Sequence, residues 1–400
     1  MDLIASMQPS KDARPATIAE VAQILADAAA SGLSVTAMGG GTHLALGRSL
    51  RAPNIVLHTT ELRDVVEHVP ADMTISIEAG MRIADLRELL AEHNSRLPLD
   101  VEAPERATIG GMVAFGAAGP RRLGLGSLRD YLIGARFVQP DGRIVKTGGM
   151  VVKNVSGYDL TRMLHGSVGA LGVIGSLNFK LAPIPMAQAV MTFDCARPGD
   201  ALAAAASIVD KKLPFAAVHA TSDGSIVVGC EGQKADVKRL RAEARAVATT
   251  FGASEQGSVE GEADTTAAWH EFTAAPFGER TATFRIVSTQ SKVAGAVERA
   301  AAIATSLQFD TVWSADAGCG TAELSVDADD RVDDLIALER ELIEMSNLRV
   351  TRCPVAMRSQ LILHGRSPAG VQLMRLLKSQ FDPTGTLVGA PFAAGASVDG

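Results

Sequence analysis

The glycines between Gly39 and Ile174 constrain this chain more than any other feature. They fall into three clusters. The first is Gly39-Gly40-Gly41-Thr42-His43. The second is Ala107-Thr108-Ile109-Gly110-Gly111-Met112-Val113-Ala114, followed by Gly116, Gly119, Gly124 and Gly126. The third is Gly166-Ser167-Val168-Gly169-Ala170-Leu171-Gly172-Val173-Ile174. A residue without Cβ lets main chain lie against a ligand and lets N–H groups converge on an anion. Any one cluster is also compatible with a tight turn. Three spaced through one domain imply a long ligand crossing several loops, as a dinucleotide does.

Two common phosphate loops do not fit. The G-x-G-x-x-G spacing requires glycine where Leu44 stands, and no helix is predicted after it. A Walker loop requires Gly-Lys, a dipeptide absent from the chain. The serine-hydrolase elbow G-x-S-x-G is absent too, since Ser167 sits in His165-Gly166-Ser167.

The first predicted helix opens on the capping box Thr17-Ile18-Ala19-Glu20, carries Val21, Ile24, Leu25 and Ala28, and stops at Gly32. A strand over Ser34–Met38 leads directly into the glycine triplet. Thr74–Glu78 alternates as a half-buried strand ending at Ala79-Gly80, and the helix after it aligns Ile83, Leu86, Leu89 and Leu90. Leu132–Val138 and Arg143–Lys146 flank the turn Pro140-Asp141-Gly142, and Leu177, Phe179 and Leu181 alternate in another half-buried strand. Pro183 and Pro185 then break the pattern, which predicts a boundary there.

Beyond that boundary the order changes. Gln188–Cys195, Ala201–Lys212, Ala216–Thr221, Ser225–Cys230 and Ala235–Phe251 read as strand-helix-strand-strand-helix. Thr281–Ser288, Val293–Leu307, Thr311–Ala315, Ala322–Val326 and Val332–Met345 repeat that order. Two split β-α-β units of ferredoxin-like pattern are one reading, and a generic α+β domain without a true repeat is the other. Val371–Phe381 is a last amphipathic helix before a Gly/Ala-rich tail expected to be mobile. The fold class is therefore α+β, with a first domain over 1–185, a cap over 186–347, and a segment over 348–400 returning to the first domain.

Composition removes several functions. A net charge of -7, from 38 basic and 45 acidic residues, excludes nucleic acid as the main partner. Arg121-Arg122, a basic doublet amid the second glycine cluster, reads as a solvated turn. Cys195, Cys230, Cys319 and Cys353 are far apart with no C-x-x-C, as in a reducing cytoplasm without a local iron–sulfur or zinc site. The eight histidines show no H-x-H or H-x-x-x-H spacing, so no metal is expected. No secretion signal or membrane span of about 18 apolar residues is read.

The order of Gly39–Gly47, Glu78-Ala79-Gly80, Thr108-Ile109-Gly110-Gly111 and Gly166–Gly172 resembles the PCMH-type FAD-binding domain of the vanillyl-alcohol oxidase superfamily. Within it, Gly110–Arg122, Gly126–Asp130 and Lys153–Met163 are similar to the FAD-binding subunit of glycolate oxidase. The resemblance covers about the first half of the chain. It implies noncovalent FAD, with Gly39, Gly40, Gly41, Thr42 and His43 at the pyrophosphate and Gly80 in the adjoining turn. Thr108, Ile109, Gly110 and Gly111 would run along the ribityl chain and flavin edge, with Gly169, Gly172 and Ile174 at the adenine or flavin. Thr42 stands where some relatives carry the histidine that links flavin covalently.

The same resemblance implies oxidation of a small 2-hydroxy acid such as glycolate to glyoxylate. Such chemistry needs a base for the hydroxyl proton and a cation for the carboxylate. Tyr158, His364, Arg352, Arg358 and Arg366 are the candidates, and surface or turn roles are open for each. The H-x-x-D-G-N motif of the family's catalytic subunits is absent, as are iron–sulfur cysteine clusters. Partners are therefore expected: a second FAD subunit and an iron–sulfur subunit, with any membrane association at the inner face of the membrane passing through them. A non-catalytic scaffold and a stand-alone flavoenzyme are the alternatives. Phe381-Asp382-Pro383-Thr384-Gly385 matches the family's closing motif, but Leu387-Val388-Gly389-Ala390-Pro391 replaces its Asn-Pro-Gly end.

Overall fold

The structure is a computed structural model that describes residues 10–43, 53–150, 159–274, 280–328, 331–345, 347–353, 357, 360–361 and 370–388. The chain divides into two compact units. One comprises Met1–Ala117, Ser127–Ile184 and Pro368–Gly400, the other Ala118–Gly126 and Pro185–Ser367.

The first unit holds strands β1 (Lys11–Ala13), β2 (Val35–Met38), β3 (Ile55–His58), β4 (Val65–Val69) and β5 (Thr74–Glu78). It continues with β6 (Ser95–Arg96), β7 (Leu132–Val138), β8 (Ile144–Gly148), β9 (Val173–Lys180) and β10 (Ala182–Pro183). Among the described residues these form a parallel sheet in the order β1-β3-β2, an antiparallel sheet in the order β4-β5-β9-β7-β8, and a small β10-β6 pair. The helix Ile18–Ala30 packs Val21, Leu25 and Ala28 with Val35, Leu57, Val138 and Val173 in one core. Thr17 caps it by accepting from Glu20 N, while the Glu20 carboxylate reaches Ala16 N rather than Thr17 N.

The alternation of Thr74–Glu78 predicts a half-buried strand, yet Thr74, Ile75, Ser76 and Ile77 are all buried. β5 is an inner strand between β4 and β9, and β9 in turn lies between β5 and β7.

The second unit holds β11 (Ala187–Asp194), β12 (Ala217–Thr221), β13 (Ser225–Gly232), β14 (Ser254–Glu260), β15 (Ala282–Val287), β16 (Thr311–Asp316), β17 (Thr321–Val326) and β18 (Asn347–Arg352). They form one sheet in the order β14-β11-β13-β12-β16-β17-β15-β18. Each half is a ferredoxin-like β-α-β-β-α-β unit, and the halves join through β12 and β16. Sequence pattern alone does not announce the closing strand of each half. β14 is exposed along its whole length, so no hydrophobic alternation announces it. The sequence places residues 348–352 in the returning segment, but β18 pairs with β15 and belongs to the sheet of the second unit.

Ala118–Gly126 also differs from expectation, since it packs within the second unit. Gly124 N donates to Ala216 O, and a Cβ on Gly124 would lie 2.7 Å from Ala216 Cα. Arg121 is no solvated turn. Its side chain is 10% exposed, faces Glu231 at 3.3 Å and reaches Gln188. Beside it, His219 meets Pro120 O at 2.8 Å, and the helix Glu262–Ala274 brings Trp269 and Phe272 over the same strands.

Candidate functional site

The glycine motifs converge on one short helix. Ile109–Phe115 begins at Thr108, whose hydroxyl accepts from Gly111 N, and ends at Gly116 with a left-handed φ of 75°. Gly110 explains how the helix is seated: its N donates to Ala79 O at 2.8 Å, and a Cβ there would meet Ala79 Cβ at 2.6 Å. Gly80 is equally tight, with Thr59 O and Leu62 O in the space of its missing side chain. The Glu78-Ala79-Gly80 turn is therefore a floor on which Ile109–Phe115 rests.

The first cluster packs on the entry to the same helix. A Cβ on Gly39 would lie 2.0 Å from Thr108 Oγ1, and one on Gly40 would lie 1.6 Å from Arg106 O. Gly41 turns the loop with φ 71°. Thr42 Oγ1 and His43 Nδ1 lie 2.9 Å apart, and the His43 ring sits 4.1 Å from that of Phe115. His43 is legible in the sequence as a site residue and Phe115 is not, because nothing in sequence spacing ties the two together.

The third cluster packs on the far end of the helix. Gly166 N donates to Val113 O and Val168 N to Ala114 O, and Gly116 closes against Gly166 Cα. Gly172 is packed against Phe137 and Val138 O, and the Ile174 side chain lies in the core, so neither offers a side-chain face to a ligand. Gly169 is different: it has φ 74° and, among the described residues, no atom within 4 Å of its would-be Cβ. Gly111 is also open, apart from Thr108 Oγ1 at 3.1 Å. Ser167 Oγ is buried without a hydrogen-bond partner among the described residues.

Of the candidates for chemistry, Arg352 lies on β18 of the second unit. Tyr158, Arg358, His364 and Arg366 lie outside the described residues. Among the described residues, no group of three or more His, Cys, Asp or Glu is placed to hold a metal. The Cys230 and Cys319 thiols are pushed up to about 12 by burial. No helix there is long and apolar enough to cross a membrane.

Residues 9–148 match the family model described as FAD binding domain. That span contains the triple-glycine loop, the Ala79-Gly80 floor and the helix Ile109–Phe115.

This is an FAD-binding domain.

Curated proteins are similar to parts of this chain. D-lactate dehydrogenase of Archaeoglobus fulgidus is 34% identical over 204 residues, 51% of this chain and 45% of that protein. Glycolate oxidase subunit GlcE of Escherichia coli is 40% identical over 129 residues, 32% of this chain and 36% of that one. D-2-hydroxyglutarate dehydrogenase of Rattus norvegicus is 34% identical over 182 residues, 46% and 34% of the two chains. These matches span less than half the length of each relative. In fold, a solved alkyldihydroxyacetonephosphate synthase superposes with a TM-score of 0.71 at 15% identity, covering 94% of this chain and 75% of that one.

The FAD domain's residues suit the cofactor. Gly111 and Gly169 leave the space a flat ligand needs, and the Ser167 hydroxyl is a buried group in want of a partner. Thr108, Gly111, Ser167 and Gly169 are the residues that would hold FAD, which when bound would supply a hydride acceptor.

Proposed function

We propose that this protein is the FAD-binding subunit of a complex that oxidises a small 2-hydroxy acid, glycolate foremost, and passes electrons to partner subunits. The observation that carries the reading is the convergence of Gly39–His43, Ala79-Gly80 and Gly166–Gly169 on the helix Ile109–Phe115. Relatives named as a glycolate oxidase subunit and as D-lactate and D-2-hydroxyglutarate dehydrogenases support the substrate class. The partners are a second FAD subunit and an iron–sulfur subunit, and the complex works in the cytoplasm, at the membrane only through its partners.

Co-purification of the tagged native protein tests this, with a flavin spectrum and a glycolate–dye reduction assay on the same fraction. The expected result is a yellow protein whose fraction reduces dye with glycolate and contains both partners. A colourless chain that takes up no added FAD would sink the reading. Rapid bleaching of the isolated chain's flavin by glycolate would instead favour a self-sufficient enzyme over a scaffold.

A further inference from the structure

Residues 377–388 are built into the first unit by two separate joints. At one, the segment after Gly385 adds to the parallel sheet beside β2. Val35 N donates to Thr386 O at 2.7 Å, Val388 N donates to Val35 O at 2.9 Å, and Thr36 Oγ1 donates to Val388 O. β2 ends at Met38 and runs directly into Gly39, so this joint lies on the strand that carries the first glycine cluster.

The other joint grips the third cluster. Leu377 and Phe381 of the helix Val371–Phe381 pack around Ala170 and Leu171 together with Met163 and Val168. Val168 takes a left-handed φ of 51°, which a β-branched residue strongly avoids. Gly166 and Gly169 share that left-handed geometry without strain. A strained residue keeps such a conformation only where its surroundings impose it. Here they do, because Val168 N donates to Ala114 O at 2.8 Å and its side chain shares the cluster of Leu377 and Phe381.

Lys378 connects the two joints. Its Nζ donates to Ala170 O at 3.0 Å, directly after Gly169, and to Leu387 O at 2.9 Å. Leu387 is the residue that bridges to Val35. The Lys378 side chain is 14% exposed and its counter-ion Asp382 is fully buried, so water competes little for these bonds. A single ammonium therefore fixes the third cluster relative to the strand that feeds the first.

We propose that Lys378 is a positioning residue for FAD, holding the first and third glycine clusters at the separation the cofactor spans. It acts through Ala170 and Leu387 rather than by contact, and the inference rests on the reading that FAD lies across those clusters. Such coupling is reciprocal: what the docking of residues 377–388 adds to FAD affinity, bound FAD adds to their docking.

Hydrogen exchange and flavin fluorescence titration of the full-length protein test this, with FAD itself as the probe. In the parent, saturating FAD should slow amide exchange in residues 377–388 by about fivefold more than in the helix Ile18–Ala30, the internal reference for global stabilisation. Lys378→Met should raise the FAD Kd about tenfold, measured well below its Tm where the apoprotein is folded. Thr36→Val loosens the sheet joint without stranding a buried charge, and should raise Kd about threefold even if Lys378→Met fails to fold. A merely structural lysine would lower Tm and leave both Kd and the exchange response unmoved. Unchanged Kd in the folded variants, or exchange in residues 377–388 that ignores FAD in the parent, overturns the proposal. Either result in a parent that binds FAD removes the positioning role alone, whereas a parent that binds no FAD removes the FAD reading as well.

Discussion

Lys378 Nζ lies 2.5 Å from Asp382 Oδ2 and donates at the same time to Ala170 O at 3.0 Å and Leu387 O at 2.9 Å. One ammonium thus ties the last helix, the third glycine cluster and the segment after Gly385 together. Asp382 is fully buried and also accepts from Thr386 N and Leu387 N. Burial holds Lys378 below its ordinary value, and the Asp382 partner opposes that shift.

This pair sets the first expected outcome. Lys378→Met or Asp382→Asn leaves one buried partner poorly compensated, so each should lose about 3–5 kcal/mol of stability. The double variant should lose less than the sum of the two, by about 1–3 kcal/mol. Urea unfolding of the four proteins measures this, and strict additivity would refute the coupling.

Gly110 and Gly111 are neighbours with opposite expected outcomes. Gly110→Ala drives a Cβ into Ala79, backbone included, and should prevent folding or lower Tm sharply. Among the described residues, Gly111→Ala meets only Thr108 Oγ1, and it gains helix propensity of up to about 1 kcal/mol. Its apoprotein should be as stable as the parent, yet its FAD affinity should fall about tenfold or more, because the methyl enters the space left for the cofactor. Thermal melts and flavin fluorescence titration separate the two effects.

Ser167→Ala removes a buried hydroxyl with no protein partner among the described residues. FAD-free protein should be unchanged or more stable by about 1 kcal/mol, since an unsatisfied group is gone. The FAD Kd should rise about 5-fold, the worth of one hydrogen bond. A destabilised apoprotein with unaltered Kd would contradict the role assigned to Ser167.

Asp130 accepts from both Ser127 N and Ser127 Oγ at 2.9 Å, and the backbone bond, chief among the favourable contacts, holds its carboxyl below the ordinary 3.8. A carboxylate lowered in the fold stabilises above its ordinary value and loses that effect as pH falls through the folded one. Asp130→Asn should therefore cost about 0.5–1 kcal/mol at pH 7, kept small by the residue's exposure. The gap from the parent should close in unfolding curves taken below pH 3.8. A gap independent of pH would show that shape, not charge, makes this cap.

Much of the FAD domain is legible in the chain because its signals are local. A Thr-x-x-Glu cap, a strand running into Gly39, and Gly110-Gly111 behind a capping Thr108 each act through neighbours within a few residues. The cap repeat is legible for the same reason wherever strands alternate, and fails at β14, whose residues are all exposed.

The sequence by itself determined the ordered glycine motifs, the α+β class and the FAD-type site they announce, since backbone freedom is a property of each residue alone. Only the tertiary structure decided which glycines are filled by neighbouring chain and which stand open among the described residues. Gly110 and Gly172 are filled by Ala79 and Phe137, whereas Gly169 stands open and Gly111 nearly so. The same holds for Arg121 against Glu231. Those relationships depend on strands and loops distant in sequence coming into register, and no local propensity encodes the partner a residue will meet.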